Sequence, residues 1–457
     1  MADPFPLAGR RVLVVGLARS GVAAARVALA RGARVTVTDR RAATELGQAA
    51  KDLGASGAKL ALGGHDPADF TQADLVVVSP GVPLALPEIA AARRQGVPVL
   101  GEVELAARLL PPVPVVAITG TNGKSTTTAL TGALFELERR TFTGGNLGTP
   151  LCELVLSGEE VDAVVLELSS FQLEGVSQLR PRVAAILNVT PDHLDRYASV
   201  DAYALAKARI FMNQGPGDHA VANARDLRAV ALAGGSRGEV STFGFGPAVA
   251  RGARAGEAGS FLLATGTGAP ERFLVRSRAL RGRHNLENAM AAALCARLLG
   301  VDGARVQAGL DAFKGLPHRL ELVREKDGVE WVNDSKATNV DSTQVGLAAF
   351  PAGRPHVILV LGGRGKRAPY APLAPLFEDR VKALLTIGED APAIERELGS
   401  LAPTERCGDL ATAVRRADAL ARKGDVVLLS PACASYDQFK SYEDRGETFR
   451  RLVGEIA

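Results

Sequence analysis

The sequence predicts an α/β protein of three domains built on mostly parallel sheets. Three observations carry this. Short β-branched runs alternate with Ala- and Leu-rich stretches of helical period, and strand–helix–strand alternation implies parallel sheets covered on both faces. At 457 residues the chain is too long for one ordinary core. Two breaks place the cuts. Proline-rich "LLPPVPV" (109–115) parts a Leu-rich helix from a strand, and "FKGLPHRLELV" (313–323) restarts a strand pattern after the helical stretch "NLENAMAAALCARLLG". The expected domains are therefore 1–110, 111–315 and 316–457.

Composition excludes several classes. Hydrophobic residues make up 47% and charged residues 23%, and a net charge of +4 gives no reason to expect a nucleic-acid partner. Cys152, Cys295, Cys407 and Cys433 are scattered without metal-type spacing, which reads as reduced thiols, not a disulfide frame or zinc site. The four-residue apolar run before Gly16 is too short for a signal peptide. No apolar run approaches the ~18 residues that span a bilayer. The expected protein is cytoplasmic and monomeric, with no membrane insertion.

In the first domain "RVLVVG", "RVTVTD" and "DLVVVSPG" are candidate buried strands, with "VAAARVALARG" and "EIAAARRQG" as helices between them. Strand, glycine turn, helix, strand and acidic residue follow in the order of a Rossmann-like nucleotide shelf. Gly16 and Gly21 permit the tight turn, and the helix N-terminus can receive a phosphate. Asp39 ends the second strand, where a carboxylate could accept hydrogen bonds from a ribose or base. The spacing is G-x-x-x-x-G instead of G-x-G-x-x-G, so a βαβ unit without a ligand reads equally well. "VSPGVP" (78–83) is a second glycine turn at the same edge.

The second domain opens on "PVVAITGTNGKST". Gly120 and Gly123 let successive backbone N–H groups turn inward as an anion nest, Lys124 can reach the β- and γ-phosphates, and Ser125 or Thr126 can donate a hydroxyl ligand to Mg²⁺. The common P-loop places a glycine where this chain has Ile118. Strand "AVVLE" then ends in Glu167, a carboxylate costly to bury without a cation opposite. "AAILNVTPDHLDRY" ends a third strand in Asn188, followed by Asp192, His193 and Asp195, and "AYALAKARIF" puts Lys207 on a helix. The glycine-rich stretch 233–280 reads as hairpins.

Taken in order, "GTNGKST", "GGNLG" (144–148), "LELSSFQL", "NVTPDHLDRY" and the lysine helix resemble the Mur ligases, ATP-dependent enzymes that form the amide bonds of the peptidoglycan stem peptide. The resemblance implies a P-loop-type ATPase domain in the middle and a second Rossmann-like domain at the C-terminus. It implies ATP against Gly120, Thr121, Asn122, Gly123, Lys124, Ser125 and Thr126. It places Ser125 and Glu167 on one Mg²⁺, His193 on a second, and Lys207 beside that second ion as a carbamylated lysine. Lys124, Glu167, His193 and Lys207 would be the catalytic group. Asn285 and Asn288, three apart on "GRHNLENAMAAAL", would both meet adenine. The UDP-linked substrate would lie against Gly16, Leu17, Ala18, Arg19, Ser20, Asp39, Arg40, Arg41, Gly81, Asn146 and Ser169.

In the third domain "GLPHRLELV" and "VEWVNDSKATNVDST" resemble the family's remaining nucleotide contacts, which implies His318, Arg319, Asp334 and Lys336 toward ATP. "SPACASYDQFKSYEDRG" (430–446) resembles the members that add D-glutamate, implying Thr338, Lys366, Ser435 and Tyr442, with His193, as its pocket. Arg364 stands where the family often has an acidic residue, and Tyr442 where phenylalanine is common. The implied reaction has ATP phosphorylate the terminal carboxylate of UDP-N-acetylmuramoyl-L-alanine, after which the amine of D-glutamate displaces phosphate. The implied setting is cell-wall biogenesis, and with it cell shape and division. With three ligands meeting where three domains meet, closure of the third is expected. A dinucleotide oxidoreductase built on "VVGLARSG" would leave the second phosphate loop without a role.

Overall fold

The computed structural model describes residues 5–194, 196–247, 249–366 and 368–456. Asp195, named beside His193, lies outside them. Among the described residues three sheets of five, nine and six strands form. Packing divides the chain into two compact units, Met1–Leu274 with Glu287–Gly309, and Val275–Leu286 with Leu310–Ala457.

The first unit holds two sheets. The five-stranded one runs Lys59–Leu62, Arg34–Asp39, Arg11–Val15, Leu75–Val78, Val99–Gly101, all parallel. Its central strands are buried nearly end to end, as parallel strands covered by helices on both faces must be. Strand order reverses beside Arg11–Val15, and the crevice at a reversal is where such sheets bind ligands. Both glycine turns open there.

The nine-stranded sheet has the order Glu271–Leu274, Ser260–Thr265, Arg251–Ala255, Glu239–Gly244, His219–Asn223, Val183–Ile186, Val115–Thr119, Ala163–Glu167, Thr141–Gly145. Its reversal falls at Val115–Thr119, so the loops after this strand and its neighbours share one edge. Across 233–280 the hairpin expectation holds only in part. Antiparallel pairing covers 251–274, but Glu239–Gly244 joins in parallel, because helix Leu227–Gly234 supplies a crossover.

These two sheets share a junction. One continuous apolar cluster runs from Leu7 and Val12 to Leu173 and Phe211. Glu104, buried on helix Glu102–Leu109, accepts backbone N–H bonds from Ser177, Gln178 and Leu179 (2.9–3.1 Å) and pairs with Arg108 at 2.8 Å. Glu102 is 2% exposed; its Oε1 accepts from Cys152 N at 2.6 Å, while buried Oε2 has no partner.

The second unit carries the order Glu321–Lys326, Val329–Asn333, Val426–Leu429, Val357–Gly362, Val381–Ile387, Thr404–Gly408, parallel except for the first pair. Loops 334–338, 430–435 and 363–366 leave the carboxyl ends of three adjacent parallel strands. Among the described residues no helix is long and apolar enough to cross a membrane.

Burial pushes Glu102 up from 4.5 to about 7, against the hydrogen bond from Cys152 that lowers it. The folded state thus holds this proton more tightly than the unfolded chain. Its contribution is complete below pH 4.5 and is lost as pH rises toward 7, by on the order of 3 kcal/mol. Glu102→Gln keeps the Cys152 acceptor and cannot ionise, so its urea-unfolding stability falls less than wild type over that interval. Parallel stability–pH curves for the two proteins would contradict the assignment.

Candidate active site

The phosphate-type loop sits between strand Val115–Thr119 and helix Lys124–Glu136. Gly123 takes φ +84°, and a Cβ there would lie 2.5 Å from Asn288 Oδ1, so the turn admits only glycine. No side chain caps the helix, leaving its N-terminus as an anion-binding end. The nest differs from the sequence expectation. Thr121 N and Asn122 N donate to Asn188 Oδ1 (3.1 and 2.8 Å), and Asn188 Nδ2 returns a bond to Asn122 O at 3.0 Å. Two of the loop's amides are therefore spent on bracing it. Ser125 is buried, and Thr127 Oγ1 donates to Asn288 Oδ1 at 3.2 Å. Asn285 and Asn288, three apart on helix Arg283–Leu298, are both buried; Asn285 lies inside the first helical turn, and its Nδ2 donates to Arg281 O at 3.0 Å.

Lys124 and Lys207 converge. Lys124 Nζ donates to Gly120 O (2.9 Å) and Thr121 O (2.8 Å), and Lys207 Nζ donates to the same Gly120 O at 2.8 Å. Lys207 is 1% exposed on helix Val200–Ala208, which Ser199 caps, and its ammonium lies 4.5 Å from the Tyr203 ring. Burial and then the Lys124 charge bring Lys207 down to about 7, with Asp192 and Glu167 opposing. Glu167 is buried at its strand end, with Oε1 accepting from Asn146 Nδ2 at 2.7 Å and Oε2 without a partner. His193 is 45% exposed with a left-handed φ of 53°; its ring lies 4.8 Å from Phe171 and 6.1 Å from Tyr203, and Nε2 is 3.6 Å from Asp192.

Among the described residues no three His, Cys, Asp or Glu side chains gather as a metal cage. An orphaned buried carboxylate oxygen on the strand paired with the one that leads into the phosphate loop still fits magnesium, which keeps waters and phosphate oxygens as ligands and takes few protein groups.

On the nucleotide shelf, a Cβ on Gly21 would lie 1.9 Å from Gly16 O, so the second glycine of G-x-x-x-x-G serves close helix–strand packing. Asp39 closes its strand, and its oxygens accept from Leu17 N (2.8 Å), Arg41 N (2.9 Å) and the Arg41 guanidinium (2.8 and 3.1 Å), which shapes the shelf. Burial opposes its charge, but the Arg41 and Leu17 donors hold it at about 2. Arg19 reaches Gly148 O. Ala18, Arg19, Arg40, Arg41 and Gly81 are exposed along this edge, and Ser20 is half-buried. Ser169 is engaged in a capping box with Gln172 (3.2 and 2.9 Å).

The second unit gathers a separate group. Asp334 is buried, accepting from Ser430 Oγ (2.8 Å) and Leu320 N (3.2 Å), and burial raises it to about 7. This carboxylate ties together the ends of two adjacent parallel strands. His318, buried at φ 62°, meets Asn333 Nδ2 at 3.0 Å, and Arg319 follows it. Lys336 Nζ donates to Tyr442 OH at 3.1 Å. Reciprocal backbone bonds between Arg364 and Ala434 (2.9 and 3.0 Å) join the loop of exposed Lys366 to the loop of buried Ser435. Half-buried Thr338 lies beside Lys336, where its N–H donates to the lysine carbonyl at 2.9 Å. Sequence reading places Asn188 at a strand end without its bracing role, and it misses Tyr203, whose hydroxyl lies 3.3 Å from Thr121 Oγ1; nothing local marks the latter.

The chain belongs to the Mur ligase family. Residues 10–101 match the Mur ligase MurD-like N-terminal domain, 118–296 the Mur ligase middle domain, and 318–433 the Mur ligase glutamate ligase domain. The chain is 72% identical to the UDP-N-acetylmuramoylalanine–D-glutamate ligase of Anaeromyxobacter dehalogenans over 100% of both chains. It is 56% identical to the ligase of the same name from Myxococcus xanthus over 98% of both. A pseudomurein peptide ligase type C from Methanothermus fervidus superposes with TM-score 0.60 at 20% identity, covering 98% of this chain and 100% of that one. The UDP-N-acetylmuramate–alanine ligase from Thermotoga maritima does so with TM-score 0.58 at 21% identity, covering 98% and 100%. At those identities the likeness is one of fold.

Asn188→Ala removes the brace beneath the phosphate-type loop. The amide of Asn122 is expected to exchange with deuterium roughly tenfold faster, while Thr121 N, which also donates to the main-chain O of Asn188 at 2.9 Å, and the strand core change little. Unchanged protection at the Asn122 amide would show that the loop holds its shape without the Asn188 side chain.

Proposed function

We infer that this chain is an ATP-dependent ligase that joins D-glutamate to UDP-N-acetylmuramoyl-L-alanine, forming an amide bond in peptidoglycan precursor synthesis. The observation that carries the substrate assignment is end-to-end likeness, at 72% identity, to a ligase of that name. The geometry that supports the chemistry is the pair of lysines on one carbonyl beside an orphaned carboxylate oxygen. We take the chain as three working domains, 1–110, 111–315 and 316–457, acting in the cytoplasm as a monomer.

Lys124 leaves the carbonyls of Gly120 and Thr121 to meet the β- and γ-phosphates, while the open end of helix Lys124–Glu136 faces the anion. Glu167 and Ser125 would hold one magnesium and His193 a second; the ions would neutralise phosphate charge as it develops. The acceptor carboxylate attacks the γ-phosphorus and ADP leaves, giving an acyl phosphate. The amine of D-glutamate then attacks the acyl carbon, loses a proton, and inorganic phosphate departs. Gly16–Ser20, Asp39–Arg41, Gly81, Asn146 and Ser169 are assigned to the UDP-linked acceptor. His318, Arg319, Asp334 and Lys336, with Asn285 and Asn288, are assigned to ATP. Thr338, Lys366, Ser435 and Tyr442, with His193, are assigned to D-glutamate.

Lys207 takes the carbamate role. Near pH 7 a substantial fraction of its amine is neutral and nucleophilic toward CO₂, and the carbamate formed exchanges a repulsion with Lys124 for an attraction.

Glu167→Gln and Lys124→Ala are each expected to lower D-glutamate-dependent phosphate release by about a thousandfold or more, with melting temperature close to wild type. Full turnover in either would remove the site assignment. An amino-acid panel that gave activity with L-glutamate or L-lysine and none with D-glutamate would remove the substrate assignment. For Lys207, ¹³C-bicarbonate is expected to produce a carbamate resonance that Lys207→Arg abolishes; the same resonance in the variant would place the modification elsewhere.

A further inference from the structure

We infer that Arg196 is a positioning residue that sets the spacing between the nucleotide shelf and the reacting end of the acceptor; this rests on the function proposed above. Its guanidinium makes three contacts across the first unit. Nη1 donates to Pro80 O at 3.1 Å, Nη2 pairs with Glu174 Oε2 at 2.7 Å, and Cζ lies 4.0 Å from the centre of the Phe171 ring. The side chain is 16% exposed, so these contacts are largely out of water.

What the contacts connect gives the residue its meaning. Pro80 belongs to the turn Ser79–Val82, closed by Val82 N donating to Ser79 O at 2.9 Å. Ser79 Oγ donates to Gly16 O at 2.8 Å, which ties this turn to the first glycine turn of the shelf. The Arg196 side chain is therefore bonded to one of the two loops that line the shelf. Its backbone is bonded to the other end. Arg196 N and Tyr197 N both donate to His193 O at 3.0 Å, closing the turn that holds His193 at its left-handed φ of 53°. Phe171, under the guanidinium, also packs 4.8 Å from the His193 ring. One residue thus spans from the shelf to the imidazole assigned to the reacting centre.

A substrate anchored by its nucleotide and reacting at its far carboxylate depends on that span, since a misplacement of about 1 Å can cost a hundredfold in rate. An ordinary junction ion pair would stabilise the fold without favouring either end. The two roles separate experimentally.

Arg196→Met keeps the apolar stem over Phe171 and removes both polar contacts. Uridine diphosphate alone, which fills only the shelf, is expected to bind this variant as tightly as wild type by calorimetry. The kcat with the complete UDP-linked acceptor is expected to fall roughly tenfold to a hundredfold. Arg196→Lys keeps the charge and loses the guanidinium fork, and is expected to lose less in the same direction, which keeps the test available if the methionine variant does not fold. Unchanged kcat in both variants, or a loss of uridine diphosphate binding that matches the loss of kcat, overturns the inference. A wild-type protein that binds uridine diphosphate but turns over no UDP-linked acceptor overturns the functional reading instead.

Discussion

Two amines brought to one carbonyl, one fully buried and the other half-buried, are the constraint from which the first unit's chemistry follows. Gly120 O accepts from both Lys124 and Lys207. Two ammonium ions that close repel one another with little solvent between them, so the arrangement favours either deprotonation of the more deeply buried amine or arrival of negative charge. Lys207 is the more deeply buried and is the one drawn down toward neutrality. Glu167 offers part of the missing negative charge and leaves one oxygen open. The arrangement thus favours negative charge before any base, ribose or sugar is considered, and its most demanding feature is a lysine kept from behaving as a surface lysine.

Sheet topology explains why this pocket lies where it does. Each sheet has a strand at which the order reverses, and the loops that leave the carboxyl ends on either side of it must open onto the same crevice. Much of this was legible in the sequence. Gly16, Gly120, Glu167, Asn188 and Asp334 each stand just after an apolar run, and a polar or glycine residue closing a buried parallel strand is a local signal. Lys207 was legible only through resemblance, because a lysine on "AYALAKARIF" reads locally as a solvated face.

What stayed hidden was how the polar side chains are engaged. Asp39 and Asp334 sit at strand ends as expected, yet each is occupied by partners 22 and 96 residues away in sequence, Leu17 N and Ser430 Oγ. Local pattern carries no information about such partners. The junction carboxylates were invisible for the same reason: Glu102 and Glu104 lie on a helix whose apolar stripe predicts burial for its leucines, not for its acids. Only the turn at 177–179, far along the chain, presents the three backbone donors that make Glu104 tolerable inside. The parallel placement of Glu239–Gly244 likewise depends on a crossover helix too short and alanine-rich to stand out from its glycine-rich surroundings.

The two positions that the sequence resemblance set apart, Arg364 and Tyr442, are not equivalent. Arg364 contributes through its backbone, whose N–H and C=O both bond to Ala434 and so join two loops of the second unit. Its side chain leans outward onto Glu389, an exposed pair of the kind that adds little stability. Either sign of charge can stand there without disturbing the backbone bridge. Tyr442 contributes through its side chain as well. Its carbonyl accepts from Ser335 Oγ, its ring lies 5.0 Å from the Lys336 ammonium, and its hydroxyl accepts from that same ammonium. A phenylalanine would retain the backbone bond and the ring and surrender the hydroxyl. The substitution at 442 therefore adds a second hold on Lys336, whereas the one at 364 leaves the backbone bridge beneath it as it was.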